Sequence, residues 1–231
     1  MYPAVKIALT GKSEIFIVHA MKKPRDVNEI KNFQGRILEA ALDIIVQEGY
    51  PAPTMRRIAS KIGMTAPNIY NYNKSKDELY ISLVIQGFEI LQRELMSVCD
   101  AHEKPIERGA ALARAYINFG LQHSSYYDIM FTYPTPKYND YVGTPLEKLS
   151  EIEYRISMDI VTLALNAVKA LMGDEQAGDD QVVQMRFIAA WSMLHGMISL
   201  YNSKIVQYTI QDAEAMYEKM ITEFLQLLLH R

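Results

Sequence analysis

Residues 54–80 constrain the fold of this chain most strongly, because three helix starts follow one another within this segment. Thr54 and Thr65 are both good N-caps for short helices. Gly63 lies between them and suits a tight turn, since glycine adopts positive φ without strain. Residues 75–78 have the spacing of a capping box that opens a longer helix. Two short helices joined by a tight turn are the layout of a helix-turn-helix, which places one helix in the DNA major groove.

Apolar residues recur at helical spacing on both sides of this segment. They predict a first helix over residues 33–48, a helix from Ser75 to about Cys99, and further helices between 105 and 229. A loop rich in Pro and Tyr over residues 132–144 is the longest expected interruption. The sequence therefore predicts an all-α protein.

The predicted helices divide the chain into three parts. Residues 32–80 form the predicted three-helix, helix-turn-helix DNA-binding domain. Residues 81–231 form a larger helical domain for ligand binding and dimerisation. Residues 1–31 form an N-terminal extension, either a short hairpin or a flexible arm. We interpret Met21 as the natural start, because the following basic residues would then make a short arm leading into the first helix.

The net charge of −3 hides an uneven distribution. Residues 1–80 carry 12 Lys and Arg against 8 Asp and Glu, whereas residues 81–231 carry 12 against 19. The first part, which we call the front, is therefore basic, and the second part, the rear, is acidic. This distribution fits a phosphate-bearing partner that contacts only the front. No stretch approaches the roughly 18 apolar residues needed to span a bilayer, and the first twenty residues show no secretory signal. We therefore expect a cytoplasmic protein that does not contact the membrane.

The candidate DNA contacts lie on and around the second short helix. Contacts to base edges give specificity, whereas contacts to phosphates fix the register. Asn68 is the best candidate for reading a base, because an amide bonds adenine in a bidentate manner, and Ala66 and Pro67 suit a thymine methyl group. The phosphate candidates carry hydroxyl or basic groups, and they are Thr54, Arg56, Thr65, Tyr70, Tyr72 and Lys76.

Plain alternatives to these contacts stay open. Tyr70 would pack into a small core, and Asn68 would be an ordinary polar residue of a first helical turn. Arg56 and Arg57 would form a solvated basic face rather than a phosphate contact.

The second domain is rich in aromatic and Met side chains, which suit an adaptable apolar pocket for a small hydrophobic effector. The candidate effector contacts are Tyr116, Phe119, Tyr127, Phe131, Met158, Trp191 and His195. Ordinary core packing is the alternative for the aromatic and Met residues, and a hydrogen-bonded interior or interface histidine is the alternative for His195. The last two predicted helices, about 180–203 and 210–229, are apolar almost all round. One side of each can line a cavity while the other meets a second subunit.

Two groups of residues together indicate a family. The first follows a fixed order: Gly49, Thr54, Ile58, Ala59, Gly63, Thr65, Tyr70 and Ser75-Lys76-Asp77-Glu78-Leu79. The second consists of Ser125–Phe131 and Trp191-x-x-x-His195-Gly196. The first group, spanning about residues 33–85, resembles the TetR family of bacterial repressors. The second, within about 105–205, resembles the effector domain of TetR relatives named for a Trp-His-Gly motif.

The resemblance implies a ligand-responsive homodimer, a repressor, that binds a palindromic operator through the helix starting at Thr65. It assigns phosphate contacts to the same Tyr, Lys and two Thr, and it implies a dimer interface built from the last two helices. One position departs from the pattern. The family often has Phe three residues after Tyr70, whereas this chain has Asn73, whose buried amide would need a hydrogen-bond partner.

Two other classes of function are weaker. An enzyme is disfavoured because we find no HExxH, no nucleophile elbow and no glycine-rich phosphate loop. The five His are scattered and Cys99 is the single cysteine, so no catalytic residue, cofactor or metal site is expected. The remaining alternative is a helical small-molecule-binding module without DNA recognition, for which Asn73 is the only motive.

Overall fold

The computed structural model of the protein describes residues 27–49, 52–73, 75–173 and 178–229. All regular elements within these residues are helical, so the predicted all-α class is confirmed. Within the same residues, no helix combines the length and the hydropathy needed to cross a membrane. The expected hairpin or arm before residue 27 and the proposed start at Met21 lie outside the described residues.

Eleven α-helices and one π-helical turn make up the described part of the chain. The helices are α1 (Val27–Glu48), α2 (Met55–Lys61), α3 (Ala66–Ile69), α4 (Lys76–Ala101), α5 (Pro105–Gln122), α6 (Ser124–Tyr127), α7 (Tyr138–Tyr141), α8 (Glu147–Met172), α9 (Asp180–Asn202), α10 (Val206–Thr209) and α11 (Ala213–Leu229). The π-helical turn (Asp128–Thr132) directly follows α6.

Two expectations about these elements need correction. Helix α1 begins at Val27 rather than at the predicted residue 33, and Glu29 in its first turn interacts favourably with the helix dipole. The segment 132–144 is not all loop, because it contains α7. The carboxylate of Asp140 accepts a hydrogen bond from the backbone N–H of Lys137 at 2.7 Å, which caps this short helix.

The first three helices share a small core of aliphatic side chains. Ile37 of α1, Ile58 of α2 and Ile69 of α3 are all fully buried. Such short helices are marginal alone, so burial of these side chains must hold α2 and α3 in place. This core fixes the orientation of both short helices.

Helix α4 joins the two halves of the molecule. Leu79 and Leu83 near its start pack into the small front core, whereas Leu91 and Leu95 belong to the rear. The predicted domain boundary at residues 80 and 81 falls inside this helix. The two halves therefore share one continuous core rather than meeting through a flexible linker.

The rear half consists of α5, α8, α9 and α11 packed with the second half of α4. The π-helical turn is fixed on α4 by two contacts. The Tyr80 hydroxyl donates a hydrogen bond to the Ile129 carbonyl at 2.8 Å. A Cβ at Gly87 would lie only 2.5 Å from the Met130 sulfur, so any larger residue there would force the Met130 side chain to shift. The π-helical turn, which belongs to the rear half, is thus packed directly against α4, the helix that begins in the front core.

Candidate nucleic-acid interface and ligand cavity

The turn between α2 and α3 has the geometry expected from its sequence. The Thr54 hydroxyl caps α2 by accepting a hydrogen bond from the Arg57 N–H at 3.3 Å. Gly63 has φ of +70°, and the Met64 N–H donates to the Ala59 carbonyl at 2.8 Å. Thr65 is extended and leads into α3 without making a side-chain capping bond. The Thr65 hydroxyl is therefore not used to cap its own helix.

Helix α3 exposes one side and buries the other. Ile69 is fully buried and holds the helix on the core, whereas Thr65, Pro67 and Tyr70 are exposed. Tyr70 is 51% exposed, which does not fit its alternative as a core residue. Ala66 and Asn68 are half-buried.

The end of the predicted recognition helix differs from expectation. Regular α-helix ends at Ile69, and the chain continues in turns through Tyr72. Tyr72 is 7% exposed and its ring lies 5.6 Å from that of Phe33, so we no longer place it among the exposed phosphate candidates. Asn73 is 4% exposed, and its side-chain oxygen has no hydrogen-bond partner within the described residues.

The two arginines of α2 have different surroundings. Arg57 forms an ion pair with Glu48 and also donates to the Ala52 carbonyl at 3.3 Å. This pairing raises the pKa of Arg57 and lowers that of Glu48. Arg56 is exposed and has no ion pair within the part of the chain that the structure describes. Lys76 is exposed at the start of α4, next to Ser75, whose hydroxyl caps that helix.

The rear half encloses a largely apolar cavity of about 450 Å³. It lies among α4, α5, α8, α9 and α11, and the π-helical turn adds to its wall. Of the predicted effector contacts, Tyr116, Phe131 and Trp191 line the cavity. Phe119 and Met158 do not: Phe119 is fully buried in the core, and Met158 is 40% exposed on α8.

The remaining two candidates lie behind Tyr116 in a hydrogen-bonded group, which we call the Tyr–His network (Tyr116, Tyr127, Trp191 and His195). The Trp191 indole N–H donates to the Tyr116 hydroxyl at 2.9 Å. The same hydroxyl lies 3.1 Å from Nε2 of His195, and the Tyr127 hydroxyl is hydrogen-bonded to Nδ1 of His195. The network thus connects the cavity wall on α5 and α9 to α6.

Comparisons with known proteins now decide the family. A family model described as "Bacterial regulatory proteins, tetR family" matches residues 37–83. A second, described as "Tetracyclin repressor-like, C-terminal domain", matches residues 110–224. The chain belongs to the TetR family. The matched ranges correspond to the helix-turn-helix and to the helices around the cavity, so the predicted resemblance to the TetR family is confirmed.

Similar proteins include regulators of the same type. The HTH-type transcriptional activator FasR of Mycolicibacterium smegmatis is 29% identical over 112 residues, which are 48% of this chain and 48% of FasR. The chain spans about half the length of the curated relatives it matches. These relatives are described as transcriptional regulators, not as enzymes.

Solved structures share the fold of this TetR protein. A TetR-family transcriptional regulator from Bordetella parapertussis superposes with a TM-score of 0.64 at 14% identity, covering 87% of this chain and 95% of that one. The protein SCO4313 gives a TM-score of 0.68 at 21% identity, covering 88% of this chain and 100% of that one.

Sequence reasoning missed most of the cavity wall of this TetR protein. Helix α8 contributes Glu153, Ser157, Ile160, Ala164 and Leu171, which are three, four or seven residues apart and so share one helical face. The two polar residues at the start of this apolar stripe were the available signal. Burial raises the pKa of Glu153, an effect that the nearby Lys137 reduces.

The structure also shows whether side chains that could bind a metal ion lie close together. Within the described ranges, no group of three or more His, Cys, Asp or Glu side chains lies close enough to share a metal ion.

Proposed function

We propose that this TetR protein is a ligand-responsive homodimer that binds a palindromic operator with α2 and α3 and represses transcription. An effector that enters the cavity would lower operator affinity. The observation that carries the proposal is the exposure of Thr65, Pro67 and Tyr70 on and beside α3, while Ile69 of the same helix is fully buried. Such a DNA-binding role requires a cytoplasmic location.

These exposed residues and the polar side chains around them suit contact with double-stranded DNA. A helix of this type enters the major groove, where Pro67 would meet a thymine methyl group and the half-buried Asn68 would reach a base edge. The hydroxyls of Thr54, Thr65 and Tyr70 and the charges of Arg56 and Lys76 would contact phosphates. Arg57 is already paired with Glu48, so we favour Arg56 as the phosphate contact from α2.

The cavity supports the effector part of the proposal. Its volume suits a small molecule, and its wall is mainly aliphatic and aromatic, as is usual for ligand pockets. Lys137 lines the cavity and is exposed, so the cavity reaches the surface there. A small hydrophobic effector would fit this wall. It would shift operator affinity only if it binds the two conformations of the dimer differently.

Apolar side chains on the last long helices support a dimer. On α9, Met185, Ile188 and Leu200 are exposed, and on α11 Met216 and Met220 lie one turn apart and are partly exposed. Exposed apolar side chains in contiguous stripes commonly mark contact surfaces. We propose that α9 and α11 of two chains form a four-helix interface.

The dimer is tested by placing a charge at the centre of this surface. We expect Ile188→Glu to convert the dimer into monomer in sedimentation velocity, because the interface would bury an unpaired carboxylate. Val46→Glu is the matched control, since Val46 is 60% exposed on α1, away from the proposed interface. If both variants sediment as wild type does, α9 does not form the interface.

The operator is tested by measuring binding to the protein's own promoter region as a function of salt. We expect Lys76→Ala and Arg56→Ala to weaken binding to all sequences, and each to reduce the slope of log K against log salt by about 1. Arg57→Ala should change the slope less, because its charge is already paired. Unchanged slopes for Lys76→Ala and Arg56→Ala would remove those phosphate contacts.

One observation favours a second candidate function. Asn73, at the end of the helix-turn-helix, is buried, and its side-chain oxygen has no hydrogen-bond partner among the described residues. A chain that had lost DNA recognition would tolerate such a defect and act only as a helical small-molecule-binding module. A dimer that binds apolar ligands but shows no salt-dependent DNA binding would support this alternative.

A further inference from the structure

The Tyr–His network contains more donor protons than it can use. At neutral pH its four polar groups carry four protons: one on the Trp191 indole, one on each Tyr hydroxyl, and one on the neutral imidazole. Burial supports this count, since it raises the pKa of both tyrosines and lowers the pKa of His195. The network makes only three hydrogen bonds, and within the described residues no further acceptor binds its members. One donor is therefore left over.

The position of the spare proton depends on the imidazole tautomer. If His195 carries its proton on Nδ1, it donates to Tyr127, and the Tyr127 hydroxyl keeps the unused proton. If the proton is on Nε2, it donates to Tyr116, which also accepts from Trp191, so the Tyr116 hydroxyl keeps the unused proton. Tyr116 lines the cavity and Tyr127 does not. Only the second arrangement presents the free proton to a bound molecule.

We propose that the Tyr116 hydroxyl donates this proton to a neutral oxygen acceptor of the effector, with His195 held in the Nε2–H tautomer. The inference rests on the proposed function, in which the cavity binds the effector. It gives Trp191 and His195 a role: both donate to the Tyr116 oxygen and leave its proton as a polar contact in a largely apolar wall. The effector class is then an apolar molecule that carries one carbonyl or ether oxygen.

The chemistry of the wall favours a neutral acceptor. A buried hydroxyl proton without a partner is costly, and a carbonyl oxygen satisfies it with one hydrogen bond. A carboxylate placed at the same point would bring a full charge against a phenol that supplies one proton. The cation of the cavity wall, Lys137, lies where the cavity reaches the surface and already interacts with the Glu153 carboxylate. A saturated hydrocarbon would fill the space but leave the proton unpaired.

The test uses two probes with one carbon skeleton: 4-phenyl-2-butanone and butylbenzene, which differ by the ketone oxygen. Both are titrated into the full chain by calorimetry, without DNA. We expect Tyr116→Phe to weaken the ketone about 5- to 10-fold, the range for one hydrogen bond, and to change the hydrocarbon by less than about twofold. Tyr126→Phe is the matched control, because Tyr126 neither lines the cavity nor belongs to the Tyr–His network. It should not weaken the ketone selectively.

A second measurement needs no substitution at Tyr116. In protein labelled with ¹⁵N-histidine, the imidazole shifts of His195, assigned by comparison with His195→Gln, report the tautomer directly. We expect saturation with the ketone to give the Nε2–H form. The Nδ1–H form in the ketone complex would overturn the proposal, even if Tyr116→Phe failed to fold.

The outcomes separate this proposal from the proposed function. If both probes bind and Tyr116→Phe weakens them equally, the hydroxyl contact is wrong, but the cavity still binds apolar molecules. If Tyr127→Phe alone removes the preference for the ketone, the spare proton lies at the other end of the network and the assignment is overturned. If neither probe binds, the cavity is not an apolar effector site and both proposals fail.

Discussion

The two ends of this molecule place their candidate functional groups in opposite ways. The front exposes most of them on and beside short helices, as with Thr65 and Tyr70, and buries the anchor Ile69. The rear turns them inward, so that Tyr116, 8% exposed, meets residues 75 and 79 positions away in the chain. The front surface is therefore set by local capping and turn chemistry, whereas the rear cavity is set by the packing of long helices. Substitutions should affect the two ends by different mechanisms.

The largest effect is expected where the rear is packed most tightly. A Cβ at Gly120 of α5 would lie 2.6 Å from Ile198 of α9, so Gly120→Ala should lower the free energy of unfolding by about 1–3 kcal/mol through overpacking. Gly35→Ala on α1 is the matched control. A Cβ there meets nothing within 4 Å, so the variant should gain up to about 1 kcal/mol from helix propensity. Urea denaturation measures both, and equal effects would contradict the contrast between the two ends.

A smaller effect of the opposite sign is expected at Asn73, a buried polar position among the described residues of the front core. Asn73→Leu should raise the free energy of unfolding by about 1–2 kcal/mol, because it removes a buried, unpaired amide oxygen and adds apolar burial. Asn71→Leu is the control: Asn71 is exposed, and its stability should stay within about 0.5 kcal/mol of wild type. Destabilisation by Asn73→Leu would mean that the amide has a partner.

The smallest effect is a pH dependence that originates in the rear. Burial lowers the pKa of His195 below its ordinary value of 6.5, so the unfolded chain binds this proton more readily than the folded chain. Stability should therefore fall as pH drops below about 6.5 towards the lowered pKa, with no contribution from this group at higher pH. Thermal unfolding of wild type and His195→Gln from pH 5 to 8 measures it. A parallel pH profile in the variant would assign the effect to another group.

The same contrast explains how much the sequence could predict. Thr54, Gly63 and Ser75 act through bonds to residues within a few positions, so their roles in the helix-turn-helix were readable from spacing alone. The sequence alone does not distinguish Tyr70 from Tyr72. Tyr72 is buried because its ring packs against Phe33, which lies some forty positions earlier in the chain. Which of the rear aromatics faces the cavity depends on how α5, α8 and α9 rotate against one another. Phe119 and Tyr116 lie one turn apart on α5, yet only Tyr116 reaches it.

The 26 residues of α4 form one continuous helix that runs from the helix-turn-helix to the cavity. At a rise of 1.5 Å per residue its length is roughly 39 Å, so a tilt of only 5° displaces one end by about 3 Å relative to the other. Leu91 and Leu95 touch the cavity near one end of this helix, and Lys76 stands at the other. A ligand that tilts α4 by that angle would thus displace its Lys76 end, relative to its other end, by about the rise between successive bases of a DNA strand, roughly 3.4 Å.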